Sequence, residues 1–351
     1  MMASSSFHNV SIKGISCVVP PKELSLLDDP KLYNGDQKKI ERVINSSGFF
    51  KRRVSEADVM TSDLCLQAAR DLIENLDINP ATVDGLLFVS YTPDYLMPAT
   101  SYVLHKELGL SSQCVVMDIP QACSGYEIGL FQASMLINSG YKRILLLVGD
   151  SFSKFSDMFN NHTAPVFGDA GTATLIEYDE TAAPSYFNIF SDGSGYDALI
   201  CRNGGFRNFP SHDDFYDDGR FKYDSHMDGG RIFDFTLREI APSINMLLND
   251  SGFRKEDIDF FVMHQANKFI LQNITRQLGI AEAKVPMSTI SKYGNQCGAS
   301  IPCTIADVLR HEVSSNKLKI MLSGFGVGLS WANAIIELNR IYCSKLIEYK
   351  G

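Results

Sequence analysis

The sequence predicts an α/β protein built as two similar halves, and three observations predict it. Apolar runs of strand length alternate with helical stretches such as 63–76 and 232–249, the βαβ pattern of largely parallel sheets. Two pairs of segments repeat at one offset. "NLDINPATVDGLLFVSYT" (75–92) matches "DSGFRKEDIDFFVMHQAN" (250–267), and "KRILLLVGD" from Lys142 matches "KLKIMLSGF" from Lys317, each 175 residues on. One such pair arises easily by chance; two at the same spacing indicate an internal duplication. A chain of 351 residues with 45% hydrophobic content also has enough apolar side chains for two ordinary cores. The halves are expected at 1–180 and 181–351, packed on each other.

In chain order, the first repeat runs from a helix ending near Leu76, through a polar turn, into the strand after Asp84. "VVMDIP" then reads as a buried strand closed by Pro120. Tyr126, Ile128, Leu130, Phe131 and Met135 recur at near-helical spacing, and Gly140 marks a stop. Cys123 therefore falls where a strand hands over to a helix. Unpaired N–H groups and the positive end of the helix dipole favour a thiolate there. The second half repeats the plan, with Ile258 and Asp259 in the places of Val83 and Asp84. In it, Gly298 of "YGNQCGASIP" stands where Cys123 stands, and His264 replaces the apolar Val89 at a strand end. A polar group at such a place needs a partner or a chemical role. "SGFGVGLSW" (323–331) follows a strand but leads into "WANAIIEL", another strand, so no helix start is present to hold a phosphate. Its glycines let the backbone approach a site and present N–H donors.

The formal net charge of −9 provides no basic footprint for nucleic acid and argues against an anionic membrane surface. No apolar run is long enough to span a bilayer, and "MMASSSFHNV" lacks the charged start and apolar block of a secretion signal. Eight cysteines are scattered without a C-x-x-C pair or a Cys/His cluster, which points to reduced cytoplasmic thiols and away from zinc. The stretch 201–230, rich in Gly, Asp and aromatic residues, is expected to be an irregular lid or binding loop. Its His212 and His226 lie among aspartates at no standard metal spacing, so no metal or cofactor is expected.

Cys123, His264 and Asn295 form a Cys–His–Asn set, whose chemistry begins with a nucleophilic thiolate. Taken singly, a strand-end histidine is more often structural, and an asparagine beside glycine is more often a turn former. A papain-like hydrolase uses the same chain order, but its cysteine lies in a C-G-x-C-W context in an oxidising compartment, and neither holds here. A catalytically dead partner subunit would have no need of all three residues.

"DIPQACSGY", "HQAN", "YGNQCGASIP" and "GFGVGLSW" resemble, in order and spacing, the motifs of β-ketoacyl-ACP synthase III, a branch of the thiolase-like superfamily. "GFFKRRV", "FGDAGTATLI" and "MDGGRIFDF" are also similar to that family, and the resemblance spans residues 8–338. It implies a duplicated thiolase-like fold in five α-β-α-β-α layers and a decarboxylative Claisen condensation. Cys123 would take an acyl group from a thioester. His264 and Asn295 would hydrogen-bond the carbonyl of a malonyl-ACP-type partner, stabilising the enolate left as carbon dioxide departs. Backbone N–H groups of Cys123 and Val327 would hold the oxyanion. The resemblance also places Met97 and Phe325 at the acyl pocket, with Met97, just before Pro98, reaching across a homodimer to floor the partner's pocket. Lys268, Arg276 and Arg52 would offer a positive rim to an acidic acyl carrier protein.

The chain departs from the family in three places. CoA-primed members carry a tryptophan and an arginine before the "GFFKRR" segment; here Arg42 and Ser46 stand there, and the one tryptophan is Trp331. The donor is therefore open between acyl-CoA and acyl-ACP. Five places after the histidine the family usually has a basic residue, whereas this chain has Phe269, with Lys268 one place earlier. Met97 replaces an aromatic of the straight-chain enzymes, and its unbranched thioether yields more readily to a longer chain. Members of this branch serve fatty-acid, polyketide or polysaccharide acyl synthesis. The alternative activity is an acyltransferase that uses the same Cys123 acyl-enzyme without forming a carbon–carbon bond.

Overall fold

The computed structural model describes residues 4–28, 35–155, 166–217, 219 and 221–351. Two mixed sheets dominate it. One runs in the order Tyr342–Cys343, Val10–Val19, Ala170–Tyr178, Arg143–Asp150, Gly85–Val89, Val115–Ile119. The other runs Ser5–Phe7, Ser185–Ser191, Ser330–Asn339, Lys317–Gly326, Phe260–Met263. Four consecutive strands correspond between the sheets, from Val10–Val19 and Ser185–Ser191 at one side to Gly85–Val89 and Phe260–Met263 at the other. Both sets pair antiparallel, antiparallel, then parallel. The repeat read from the sequence is thus a repeat of topology. It breaks at one point: where Val115–Ile119 would recur, the second half has the short helix Thr289–Tyr293, which leads into Asn295.

The strands are apolar on both faces, as buried parallel strands are, and alternate residues serve different layers. Leu86, Phe88, Leu145 and Leu147 pack outward against Leu64, Ala68 and Leu72 of helix Thr61–Asn75 and Leu104 of helix Thr100–Glu107. Leu87, Val89, Ile144 and Leu146 pack inward against Tyr126, Leu130, Ala133 and Ile137 of helix Gly125–Asn138. That same core takes in Ile320, Leu322 and Ala334 of the other sheet, so the helix lies between the sheets, and it is accordingly apolar around most of its circumference. Met321 and Phe325 face the opposite way, onto helices Gly229–Ser251 and Lys268–Leu278. These are the five layers of the thiolase-like fold.

The chain ends cross over. Ser5–Phe7 pairs with Ser185–Ser191 of the second sheet, whereas Tyr342–Cys343 and Ile347–Glu348 pair with Val10–Val19 of the first. A boundary at residue 180 therefore separates the sequence repeats but not the sheets. The stretch expected as an irregular loop is instead closed by a two-stranded ribbon, Leu199–Cys201 against Ser225–Met227; its positions 218 and 220 lie outside the described residues.

Candidate active site

Cys123 lies in the turn between strand Val115–Ile119 and helix Gly125–Asn138, as the spacing predicts, and is 9% exposed. His264 directly follows strand Phe260–Met263; its backbone N–H donates to the Ser323 carbonyl at 2.8 Å, which ties it to the neighbouring strand. Asn295 comes from the second half yet is docked on the first. Its N–H donates to Val166 O at 2.7 Å, and Gly168 N–H donates to its carbonyl at 3.0 Å. Gly294 makes this approach possible: its φ is +74°, and a Cβ there would come within 2.8 Å of Val166 O.

The three polar groups meet around Cys297. His264 is 2% exposed, with Nδ1 3.1 Å from Cys297 O and 2.9 Å from Ser300 Oγ. The Ser300 hydroxyl donates to Cys297 O at 2.7 Å, so Nδ1 carries the ring hydrogen and Nε2 is left for the Cys123 sulfur. Asn295 Oδ1 accepts from Cys297 N at 2.9 Å, which fixes the amide so that Nδ2 can donate into the site. Phe325 is buried and packs edge-on against the His264 ring, with centroids 5.6 Å apart.

This environment holds the Cys123 thiol well below the usual thiol range. A hydrogen bond from Cys297 is the largest cause; burial opposes it, and the His264 charge and hydrogen bond and the Val327 N–H reinforce it. The Cys297 thiol is pushed well above the usual range by burial and by Cys123. One negative charge therefore settles on Cys123 while the proton stays on Cys297. The glycines of "SGFGVG" permit the contact, because a Cβ on Gly326 would lie 2.9 Å from the Cys123 sulfur.

One expected residue lies elsewhere. Arg52 is not on a carrier-protein rim: it is 8% exposed, and Nη1 donates to Phe167 O at 3.2 Å. The alternation of strand Lys51–Arg53 turns it inward. Lys268 and Arg276 are both exposed on helix Lys268–Leu278. Met97 is 84% exposed, beside exposed Tyr95 and Leu96. Trp331 stacks on Phe190 at 5.2 Å in the core, whereas Arg42 and Ser46 are exposed on helix Gln37–Ser47.

Two residues near Cys123 escaped sequence reasoning. Cys297 is one. Glu127 is the other: it is fully buried in helix Gly125–Asn138, and among the described residues its carboxyl meets no polar group beyond its own backbone N–H. Burial, then the Cys123 charge, raise it well above the carboxylate range. The one charged residue of a largely apolar helix was the available signal.

Residues 117–193 match the family described as 3-oxoacyl-[acyl-carrier-protein (ACP)] synthase III, and residues 248–338 match its C-terminal part. The chain is 32% identical over 302 residues to a β-ketoacyl-[acyl-carrier-protein] synthase III of Streptococcus mutans, covering 85% of this chain and 90% of that one. It is 31% identical to the synthase III of Lactococcus lactis, over 93% of this chain and 98% of the other. The crystal structure of a 3-oxoacyl-(acyl-carrier protein) synthase from Burkholderia xenovorans superposes with a TM-score of 0.92 at 35% identity, covering 99% of both chains. By these matches in sequence and fold, the chain belongs to the β-ketoacyl-ACP synthase III family of condensing acyltransferases.

Proposed function

We propose that Cys123 is the acyl-accepting nucleophile and that His264 and Asn295 drive decarboxylation of a malonyl-ACP-type thioester. The carrying observation is that Cys297 main-chain atoms fix both donors, leaving His264 Nε2 and Asn295 Nδ2 to act beside one sulfur. Because Nδ1 keeps its hydrogen, Nε2 can donate only in the imidazolium form, which pairs with the Cys123 thiolate. The thiolate attacks the donor thioester carbonyl, and the leaving thiolate takes a proton from solvent. In the second half-reaction the carboxylate leaves as carbon dioxide, and its electron pair becomes an enolate held by Nε2–H and Nδ2–H. The enolate carbon attacks the acyl carbon, and the pair returns to the Cys123 sulfur as the carbon–sulfur bond breaks. The charge passes from carboxylate to enolate to thiolate without net proton transfer, so His264 stays protonated. Cys123 and Val327 N–H groups would hold the tetrahedral oxyanion; removing one such donor typically costs about 3 kcal/mol.

The donor is an acyl-CoA or acyl-ACP, and exposed Lys268 and Arg276 suit an acidic carrier protein. The contiguous exposed Tyr95, Leu96 and Met97 favour a homodimer in which this patch is covered. Among the described residues, no helix is long and apolar enough to cross a membrane, and we place the enzyme in the cytoplasm. Intact-protein mass spectrometry with a panel of acyl thioesters, coupled to carbon dioxide release from malonyl-ACP, tests the proposal. His264→Ala and Asn295→Ala should still acylate Cys123 but release little carbon dioxide. A wild-type enzyme that loads acyl groups yet decarboxylates no malonyl thioester would be an acyltransferase instead.

A further inference from the structure

Cys297 touches every member of the site, yet the proposed chemistry gives it no task. Its carbonyl receives His264 Nδ1, and its N–H is held by Asn295. Its side chain is 2% exposed and packs with Ala122, Cys123 and Phe167 in a small buried cluster. The backbone conformation is telling. Cys297 has φ of +50°, in the left-handed region where a Cβ is disfavoured and glycine is the usual occupant. Glycine does occupy the next position, where a Cβ would lie 2.6 Å from Ala122 O. A side chain is therefore kept where the backbone alone would favour none, and it packs in the same small buried cluster as Cys123.

We propose that Cys297 is a positioning residue for the nucleophile: its buried S–H donates to the Cys123 sulfur, orients it, and holds negative charge on it. A thiol is a weak donor in water. Here water is excluded and the acceptor is charged, and both conditions strengthen the bond. Cys297 keeps its proton because ionising it would set a second negative charge against the first. The same donor receives the thiolate expelled when condensation breaks the acyl–sulfur bond. It therefore favours both the attacking form and the leaving form of Cys123, but not the neutral acyl-enzyme between them.

The inference rests on Cys123 being the nucleophile, and alkylation can separate the two ideas. Iodoacetamide labelling would be followed across pH, with the Cys123-containing peptide quantified by mass spectrometry in wild type, Cys297→Ser and Cys297→Gly. Serine keeps a donor. Glycine removes it while suiting the left-handed backbone, so a purely structural role predicts a stable Gly variant with unchanged labelling. The expected result is that Cys297→Gly labels Cys123 at least tenfold more slowly at pH values below the wild-type inflection, with the inflection moved upward. Cys297→Ser should stay close to wild type. Superimposable profiles for wild type and Cys297→Gly overturn the proposal, as do equal losses in Ser and Gly. Acyl loading measured in parallel on another cysteine would overturn the nucleophile assignment instead.

Discussion

Replacing Glu127 by glutamine should stabilise this protein, and by more as pH rises. Glu127 is fully buried, and burial keeps its carboxyl neutral well above the normal carboxylate range. In the unfolded chain the same group ionises near pH ~4.3. Its folded pKa therefore exceeds its unfolded one. The stability it contributes is complete below the unfolded value and is lost as pH climbs through the window toward the folded value. Within that window the loss is about 1.4 kcal/mol per pH unit. Glutamine is nearly isosteric and does not titrate, so the stability gap between variant and wild type should widen by about 1.4 kcal/mol for each pH unit within that window. For 351 residues at about 2.1 cal/mol/K each, the unfolding entropy is about 0.74 kcal/mol/K, which makes this about 2 °C in Tm per pH unit. Thermal denaturation of both proteins at matched ionic strength and protomer concentration reads it directly. Asp150 and Asp169 are also raised by burial, but they titrate alike in both proteins and cancel in the difference. A Tm difference that stays flat across this range would show that Glu127 is charged in the folded state and refute the reasoning.

Cys123→Ala should abolish acyl loading while retaining the fold; an acyl adduct on Cys114 or Cys297 in wild type would overturn the assignment. Gly326→Ala should slow loading by tenfold or more, because the new methyl would sit 2.9 Å from the Cys123 sulfur; loading at the wild-type rate would show that this strand can retreat. Met97→Phe should shorten the range of acyl chains accepted, since packing a ring into a filled pocket costs about 1–3 kcal/mol, roughly tenfold or more in selectivity. Identical chain-length profiles, or a monomer in solution, would remove Met97 from the pocket.

The duplication was legible because apolar strand patterns recur at a fixed spacing, and Gly85 and Phe260 do open equivalent strands. Cys123 was legible because a strand end, a proline and a helical period bracket it. Arg52 was not, because a three-residue strand carries too little pattern to say which side faces inward. Cys297 was hidden for another reason: a left-handed backbone at a cysteine leaves no mark on local composition, and its contact with Cys123 joins turns 174 positions apart. Met97 was placed at an acyl pocket by the resemblance alone, since its own exposure depends on what the rest of the chain leaves uncovered.

The crossing of the chain ends has a consequence for synthesis. Val10–Val19 emerges from the ribosome early, but its pairing strands at 342–348 are made long afterwards. The first sheet thus waits, incomplete, through translation of the entire second half. During that wait the turn bearing Cys123 has neither His264 nor Cys297 beside it, nor the Val327 N–H that helps to hold its charge. A nascent chain therefore lacks those contacts, and the turn gains them only when both repeats have closed around it.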